Sequence, residues 1–363
     1  MKTKQSLSGK ILNDVYTSGK DGYAIYRIPS LLVTRAGTLL AFCEGRVDGW
    51  GDHGAIHLLV KRSEDNGRTW SKQTVVWEDG ANTCGNPCPV QDAATGTIWL
   101  AMNWNKPEGD THFFMHAPDG RRAFMTSSSD DGHTWTKPND ITADVKLRSW
   151  GWHSTGPGVG IMLKHGSHAG RLLIPCCHSD AAGTDDSIGS NVIYSDDHGK
   201  SWHLGGLTAS VGLNECQVVE LDDGRVMLNS RTCLSDKPWR RIAFSADGGL
   251  SWSDVHEDRQ LPDVQCQGSI IRSSDGRLFF SNPAGGKDPE GSLLPSYNTP
   301  SRFRMSVRMS VDEGATWPVS HCLHGGPSAY SCLASLPDGQ IGCLFERGSA
   351  HPYETITFAV LGF

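Results

Sequence analysis

The residues of this 363-residue chain that could do chemistry include carboxylates, arginines and tyrosines in short polar motifs. Fifteen histidines offer no H-E-x-x-H spacing, and eleven cysteines contain no C-x2-C…C-x2-C pattern, so neither a catalytic metal nor any other cofactor is expected. Glu215 heads the alternating stretch Cys216-Gln-Val-Val-Glu-Leu221, and a carboxylate at the start of a buried strand is costly unless it is used. Asp52 lies in Gly51-Asp52-His53-Gly54, on a glycine-rich loop that also holds Asp48. Exposed loops of that kind often carry acid–base groups. Tyr330, in Ser328-Ala-Tyr-Ser331, has a phenol only ~0.1% ionised at neutral pH, so it can attack only with a base beside it. The plain alternative is a strand tyrosine packing its ring. Arg27, in Tyr26-Arg-Ile-Pro29, and Arg231, in Leu228-Asn-Ser-Arg231, could seat an anion, although a lone arginine is ordinarily a solvated surface charge.

A repeat must position these side chains. The octapeptide S-x-D-x-G-x-[ST]-W occurs five times, starting at Ser63, Ser128, Ser195, Ser245 and Ser310. Its Asp and Ser oxygens can bond amides across a tight turn, its Gly can take positive φ, and its Trp can pack beneath the turn. Asp65, Asp130, Asp197, Asp247 and Asp312 are therefore read as turn formers with no role in a site. A second signal, a glycine followed by a short apolar strand, recurs six times, around Gly37, Gly96, Gly170, Gly224, Gly276 and Gly339. Hairpin repeats on this scale predict an all-β six-bladed β-propeller, one domain over 1–363, whose loops and strand ends converge on one axial mouth.

Composition narrows the partners. The net charge of -7, with no basic run, argues against nucleic acid, and an acidic chain that binds an anion must concentrate its positive charge in one pocket. No apolar run is long enough to span a membrane. Residues 1–21 are polar, lack a signal-peptide core and are expected to form a peripheral segment. Cysteines in apolar strand-like contexts (Cys43, Cys216, Cys343) predict a reducing, cytoplasmic compartment.

YRIP at 26–29, with the five octapeptides, NECQ at 214–217 and AYS at 329–331, resembles the sialidase (neuraminidase) superfamily, and the likeness runs from about Gly22 to the C-terminus. That resemblance implies an exo-α-sialidase acting on terminal sialic acid of oligosaccharides, glycoproteins and glycolipids. It implies three arginines from different blades for the sugar's carboxylate, an anion that bidentate guanidiniums match in charge and shape. The matching positions are Arg27, Arg231 and Arg302. Arg304 and Arg308 stand near Arg302, which is chosen because it lies eight residues before Ser310.

The resemblance further implies Tyr330 as nucleophile, a known exception to the two-carboxylate rule of glycosidases. Glu215 would be its base and Asp52, ahead of Asp48, the acid/base. Arg46 would contact the substrate, and Glu346 would brace Arg27. The stretches at 103–105 and 150–154 are expected to line the pocket. Phe345 and Cys332 stand where relatives often carry Tyr and Asp, and His153 where an aromatic is expected. Rival readings are a hydrolase of another ulosonic acid, a trans-sialidase and a non-catalytic lectin.

Overall fold

The structure, a computed structural model, describes residues 7–107, 117, 120–180, 187–209, 212–234, 238–285 and 302–362. Among these residues, helix is confined to Thr142–Val145 and one 3-10 turn, Gly166–His168; the rest of the regular structure is sheet, antiparallel but for one bridge. Strands Ile25–Val33, Leu39–Arg46 and Ile56–Ser63 lie side by side, with Thr74–Trp77 paired to the third. A single parallel bridge, Ile56 to Thr83, joins them to the run Thr83–Gln91, Ile98–Asn105, Arg122–Ser128 and Asn139–Asp140. Next come Trp150–Thr155, Leu172–Asp180, Ile188–Ser195 and His203–Leu207, and then Leu213–Glu220, Val226–Thr232, Trp239–Ser245 and His256–Pro262. The last sheet runs Ser269–Arg272, Leu278–Pro283, Phe303–Ser310, Val319–Ser335, Ile341–Arg347 and Thr355–Gly362.

That sheet is completed by Ser8–Thr17, which pairs with Thr355–Gly362. Part of the N-terminal segment expected to be peripheral is thus structural. Val15 and Tyr16 are buried, and the Tyr16 hydroxyl donates to the Ala41 carbonyl at 2.8 Å. The polar composition is misleading because the first half of this strand is only partly covered and keeps its polar side chains near water.

The octapeptides are hairpin turns closed by their own side chains. In the first, Ser63 Oγ accepts the Gly67 amide at 2.9 Å and donates to Asp65 Oδ1 at 2.8 Å. Asp65 also accepts the Thr69 amide and hydroxyl, at 2.9 and 2.6 Å. In the second, the Thr134 hydroxyl and amide hold the Asp130 carboxyl down at about 2. At two of the turns the expected small core is shared with a neighbouring sheet. Trp70 packs edge-on against Phe358 at 5.5 Å, and Trp202 against Trp99 at 6.3 Å. A Cβ on Gly67 would stand 2.0 Å from the Phe358 ring, and one on Gly199 2.1 Å from Trp99. Glycine is needed there for space as well as for its φ of +80° and +87°.

Candidate active site

Four strands that open hairpins break register where they carry polar side chains. Ile25–Val33 slips between Arg27 and Ser30, Thr83–Gln91 between Gly85 and Cys88, Leu213–Glu220 between Leu213 and Cys216, and Val319–Ser335 between Ser328 and Ser331. An extra residue bends a strand and re-aims its neighbours. Here the irregular positions hold Arg27, Asn86, Glu215 and Tyr330. Ile28 has φ +62°, a conformation that costs a β-branched residue roughly 1–3 kcal/mol. Its amide donates to Glu346 Oε1 at 2.9 Å, and the Tyr330 amide donates to Oε2 at 2.9 Å. Glu346, fully buried, also accepts Arg27 Nε at 3.1 Å and Nη2 at 3.4 Å. One carboxylate therefore holds two irregular strands and one guanidinium in register.

The arginines gather around the Tyr330 ring. Arg27 lies 5.0 Å and Arg302 5.7 Å from its centroid, and Arg231 Nη1 donates to the Tyr330 oxygen at 3.3 Å. Arg27 is paired with Glu346, and Arg231 with Glu215 at 2.7 Å. Arg302 makes no ion pair among the described residues; it donates to the Gln265 carbonyl at 2.8 Å and to Tyr353 Oη at 3.3 Å. Among the described residues the buried Nε atoms of Arg302 and Arg231 have no partner, so within them the cluster keeps unused donors. Of the alternatives to Arg302, Arg308 donates to Asn282 instead.

The Tyr330 hydroxyl donates to Glu215 Oε1 at 2.5 Å. Burial and then the Glu215 charge raise the phenol far above its ordinary value, against the pull of Arg231, Arg302 and Arg27. The resting phenol is neutral, with an acceptor already in place for its proton.

Asp52 stands at the rim with a side chain 63% exposed, 2.7 Å from Arg46 Nη1 and 3.7 Å from Arg27 Nη1. Partial desolvation would raise its carboxyl, but Arg46 and Arg27 outweigh it and pull the value down to about 2. Arg46 Nη1 also donates to the carbonyls of Trp50 and Gly51, at 2.8 and 2.9 Å, which fixes the loop on which Asp52 sits. Asp48 has no ion pair among the described residues.

Arg27, Arg46, Asp52, Glu215 and Tyr330 line a cleft of about 630 Å3, counting the open space at its mouth, together with Glu44, Asn86, Arg121, Trp152 and Ser154. Several of these carried no sequence signal. Glu44 accepts Arg46 Nε and Nη2 at 3.0 and 2.7 Å and the Asn86 amide at 2.9 Å, so it positions Arg46. Arg121 is buried, stacks 4.2 Å over the Trp152 ring, and among the described residues its side chain has one long hydrogen bond, to Asn105 at 3.3 Å. Its Nε has no partner, and it forms no ion pair among the described residues. Burial lowers its pKa despite the nearby charges of Glu44 and Asp52. The cleft thus has a second basic group, on the side of Asp52 and Arg46.

The pocket-lining expectation at 103–105 and 150–154 divides. Trp152 and Ser154 reach the cleft. His153 lies below it, fully buried, with both ring nitrogens unpartnered and its pKa pushed down to about 3 by burial and by His178. Asn103 braces the backbone, accepting the Thr155 amide at 2.9 Å, and Trp104 turns away to Asp79.

Comparisons with known proteins bear on this geometry. A family described as BNR repeat-like domain matches residues 29–343. A sialidase of Micromonospora viridifaciens is 38% identical over 361 residues, covering 96% of this chain and 54% of the relative. An exo-alpha-sialidase of Aspergillus fumigatus is 32% identical, covering 90% of this chain and 79% of the relative. The chain spans just over half the length of the first of these. Among solved structures, Hadza microbial sialidase Hz136 superposes with a TM-score of 0.81 at 29% identity, covering 96% of this chain and 67% of that one.

Proposed function

We propose that this chain, which belongs to the sialidase family, is an exo-α-sialidase that hydrolyses terminal sialosides with retention of configuration. The contact that carries this reading is the 2.5 Å hydrogen bond from Tyr330 to Glu215 inside a ring of guanidiniums. An anionic sugar drawn to those guanidiniums repels a carboxylate nucleophile, whereas a neutral phenol approaches freely. On this reading the fold is a six-bladed β-propeller forming one domain, supported by the strand order and by the repeat. Cytoplasmic location is part of the same proposal, and no disulfide joins the cysteines among the described residues.

In the proposed reaction, Arg27, Arg231 and Arg302 seat the sugar's carboxylate, which supplies the acceptors their spare donors lack. Tyr330 Oη attacks the anomeric carbon as Glu215 takes its proton. The bond to the leaving oxygen breaks, and Asp52 protonates that oxygen. In the second half, Asp52 takes a proton from water, the water oxygen attacks the same carbon, and the Tyr330 oxygen leaves and recovers its proton from Glu215. Asp52 needs a proton at the start, although Arg27 and Arg46 favour its ionised form in the empty site. Binding the substrate's negative charge on Arg27 weakens that preference. Arg46 and Arg121 meet the ring's hydroxyls and remaining substituents.

The assay that tests the reading is release of free sialic acid from α2,3- and α2,6-sialyllactose. Hydrolysis of at least one is expected, and no release from either would overturn it. Transfer of the sugar to added lactose in preference to water would favour a trans-sialidase instead.

The support for Arg46 gives a second expected result. A Cβ on Gly85 would sit 2.2 Å from Glu44 Oε1, so Gly85→Ala must displace the carboxylate that holds Arg46. Arg46 in turn fixes the Asp52 loop, and a displacement near 1 Å in such a network costs roughly a hundredfold in rate. Steady-state kinetics should show kcat/KM down by about that factor in a protein that remains folded by circular dichroism. A change below threefold would sever the chain from Gly85 to Asp52.

A further inference from the structure

We infer that Trp50 is a stacking platform for the first sugar of the leaving group, a neutral pyranose with one face free of hydroxyls, as galactose presents. The inference rests on the sialidase reading, because Asp52 must protonate the leaving oxygen and the leaving sugar must then lie on the Asp52 side of the mouth. Trp50 stands two residues before Asp52 on the same loop and is 55% exposed.

The exposure is not that of a loose side chain. Arg46 Nη1 donates to the Trp50 carbonyl at 2.8 Å and to the Gly51 carbonyl at 2.9 Å, and the same atom contacts Asp52 at 2.7 Å. Trp50 and the proposed acid therefore hang from one guanidinium. The indole meets the His351 ring edge to face, with centroids 4.0 Å apart at 83°, and lies 5.7 Å from Tyr353. The Tyr353 ring covers the Arg27 guanidinium at 3.8 Å. A continuous aromatic wall thus runs from the arginine that seats the carboxylate to the rim beside the acid, and it ends in an open indole.

What an open, pre-positioned indole recognises is an apolar face with a polar perimeter. A charged or purely polar group gains little on such a surface, whereas the C–H face of a pyranose stacks on it while the sugar's hydroxyls remain in water. Holding the ring in place beforehand removes part of the ordering cost of that contact.

The test compares two substrates in each protein: α2,3-sialyllactose, whose galactose can reach Trp50, and methyl α-sialoside, whose one-carbon leaving group cannot. Both need the acid, so damage to Asp52 lowers both together, and misfolded protein cancels from the ratio. In Trp50→Ala the ratio of kcat/KM for sialyllactose over methyl sialoside is expected to fall about tenfold, and in Trp50→Phe by less than about threefold. A ratio within twofold of wild type in Trp50→Ala would overturn the platform, whether the individual rates fall together or do not change. Should the wild-type protein hydrolyse neither substrate, the sialidase reading itself fails and takes this inference with it.

Discussion

Tyr330→Phe is expected to lower kcat for hydrolysis of an aryl sialoside by about a thousandfold or more, with substrate affinity little changed. The substitution removes one oxygen and leaves the ring that Arg27 and Arg302 contact at 5.0 and 5.7 Å. Glu215 loses the donor at 2.5 Å but keeps its ion pair with Arg231 at 2.7 Å, so no buried charge is stranded and the fold should survive. The carboxylate seat is intact, so the deficit falls on the chemical step, as it does when a nucleophile is removed and only binding and electrostatic stabilisation remain. Steady-state kinetics with an inhibitor-binding measurement separate the two terms. A loss of less than tenfold in kcat would remove Tyr330 as the nucleophile.

Asp52→Asn carries the second large effect, and its signature is dependence on the leaving group. A sugar alcohol is a poor leaving group and needs a proton in the transition state, a contribution worth roughly 10²–10⁴-fold. A nitrophenol needs little help. The variant should therefore lose about a hundredfold or more on sialyllactose and about tenfold or less on first-step rates with a nitrophenyl sialoside.

The pH profile adds a sign. Arg46 and Arg27 hold Asp52 at about 2 in the empty site, so the acid form is scarce at neutral pH and its population rises as pH falls. For wild type, kcat/KM on sialyllactose should rise between pH 7 and 5, and Asp52→Asn should flatten that rise. Equal losses on both substrates, or an unchanged slope, would take the acid role away from Asp52.

How far the sequence alone reached depended on whether a residue's neighbours are local. Arg27, Glu215, Arg231 and Tyr330 sit in short motifs on strands whose ends converge, and the structure brings all four together. Arg302 was reached by counting from Ser310, with Arg304 and Arg308 as equal rivals in type, and its place over the Tyr330 ring and its contacts with Tyr353 and Gln265 set it apart. Arg121 was illegible. Gly120-Arg121-Arg122 reads as a charged turn, and the burial of the first arginine comes from Trp152 and Asn105, which are distant in sequence. The strand Ser8–Thr17 was missed because its partner strand, Thr355–Gly362, lies at the other end of the chain. Likewise the octapeptide turns were legible as turns, but the rings they press on, Phe358 and Trp99, belong to other hairpins.

The low pKa of Asp52 had no sequence signal either. It follows from the reach of Arg46 across a loop that Arg46 itself holds in place. Glu44 is marked in the sequence only as a carboxylate seven residues after Gly37, the spacing at which Arg231 follows Gly224 and Glu346 follows Gly339. Its work, holding Arg46 and the Asn86 amide at once, needs the close approach that Gly85 allows.

The most direct measurement is mass spectrometry of peptides from protein treated with a 3-fluorosialosyl fluoride. Its leaving group departs without an acid, and its ring fluorine slows release of the bound sugar. The expected result is one fluorosialosyl group on the peptide containing Tyr330, on the phenolic oxygen. Attachment to Glu215 or Asp52, or turnover with inverted configuration and no adduct, would contradict a phenol held among guanidiniums as the group that attacks.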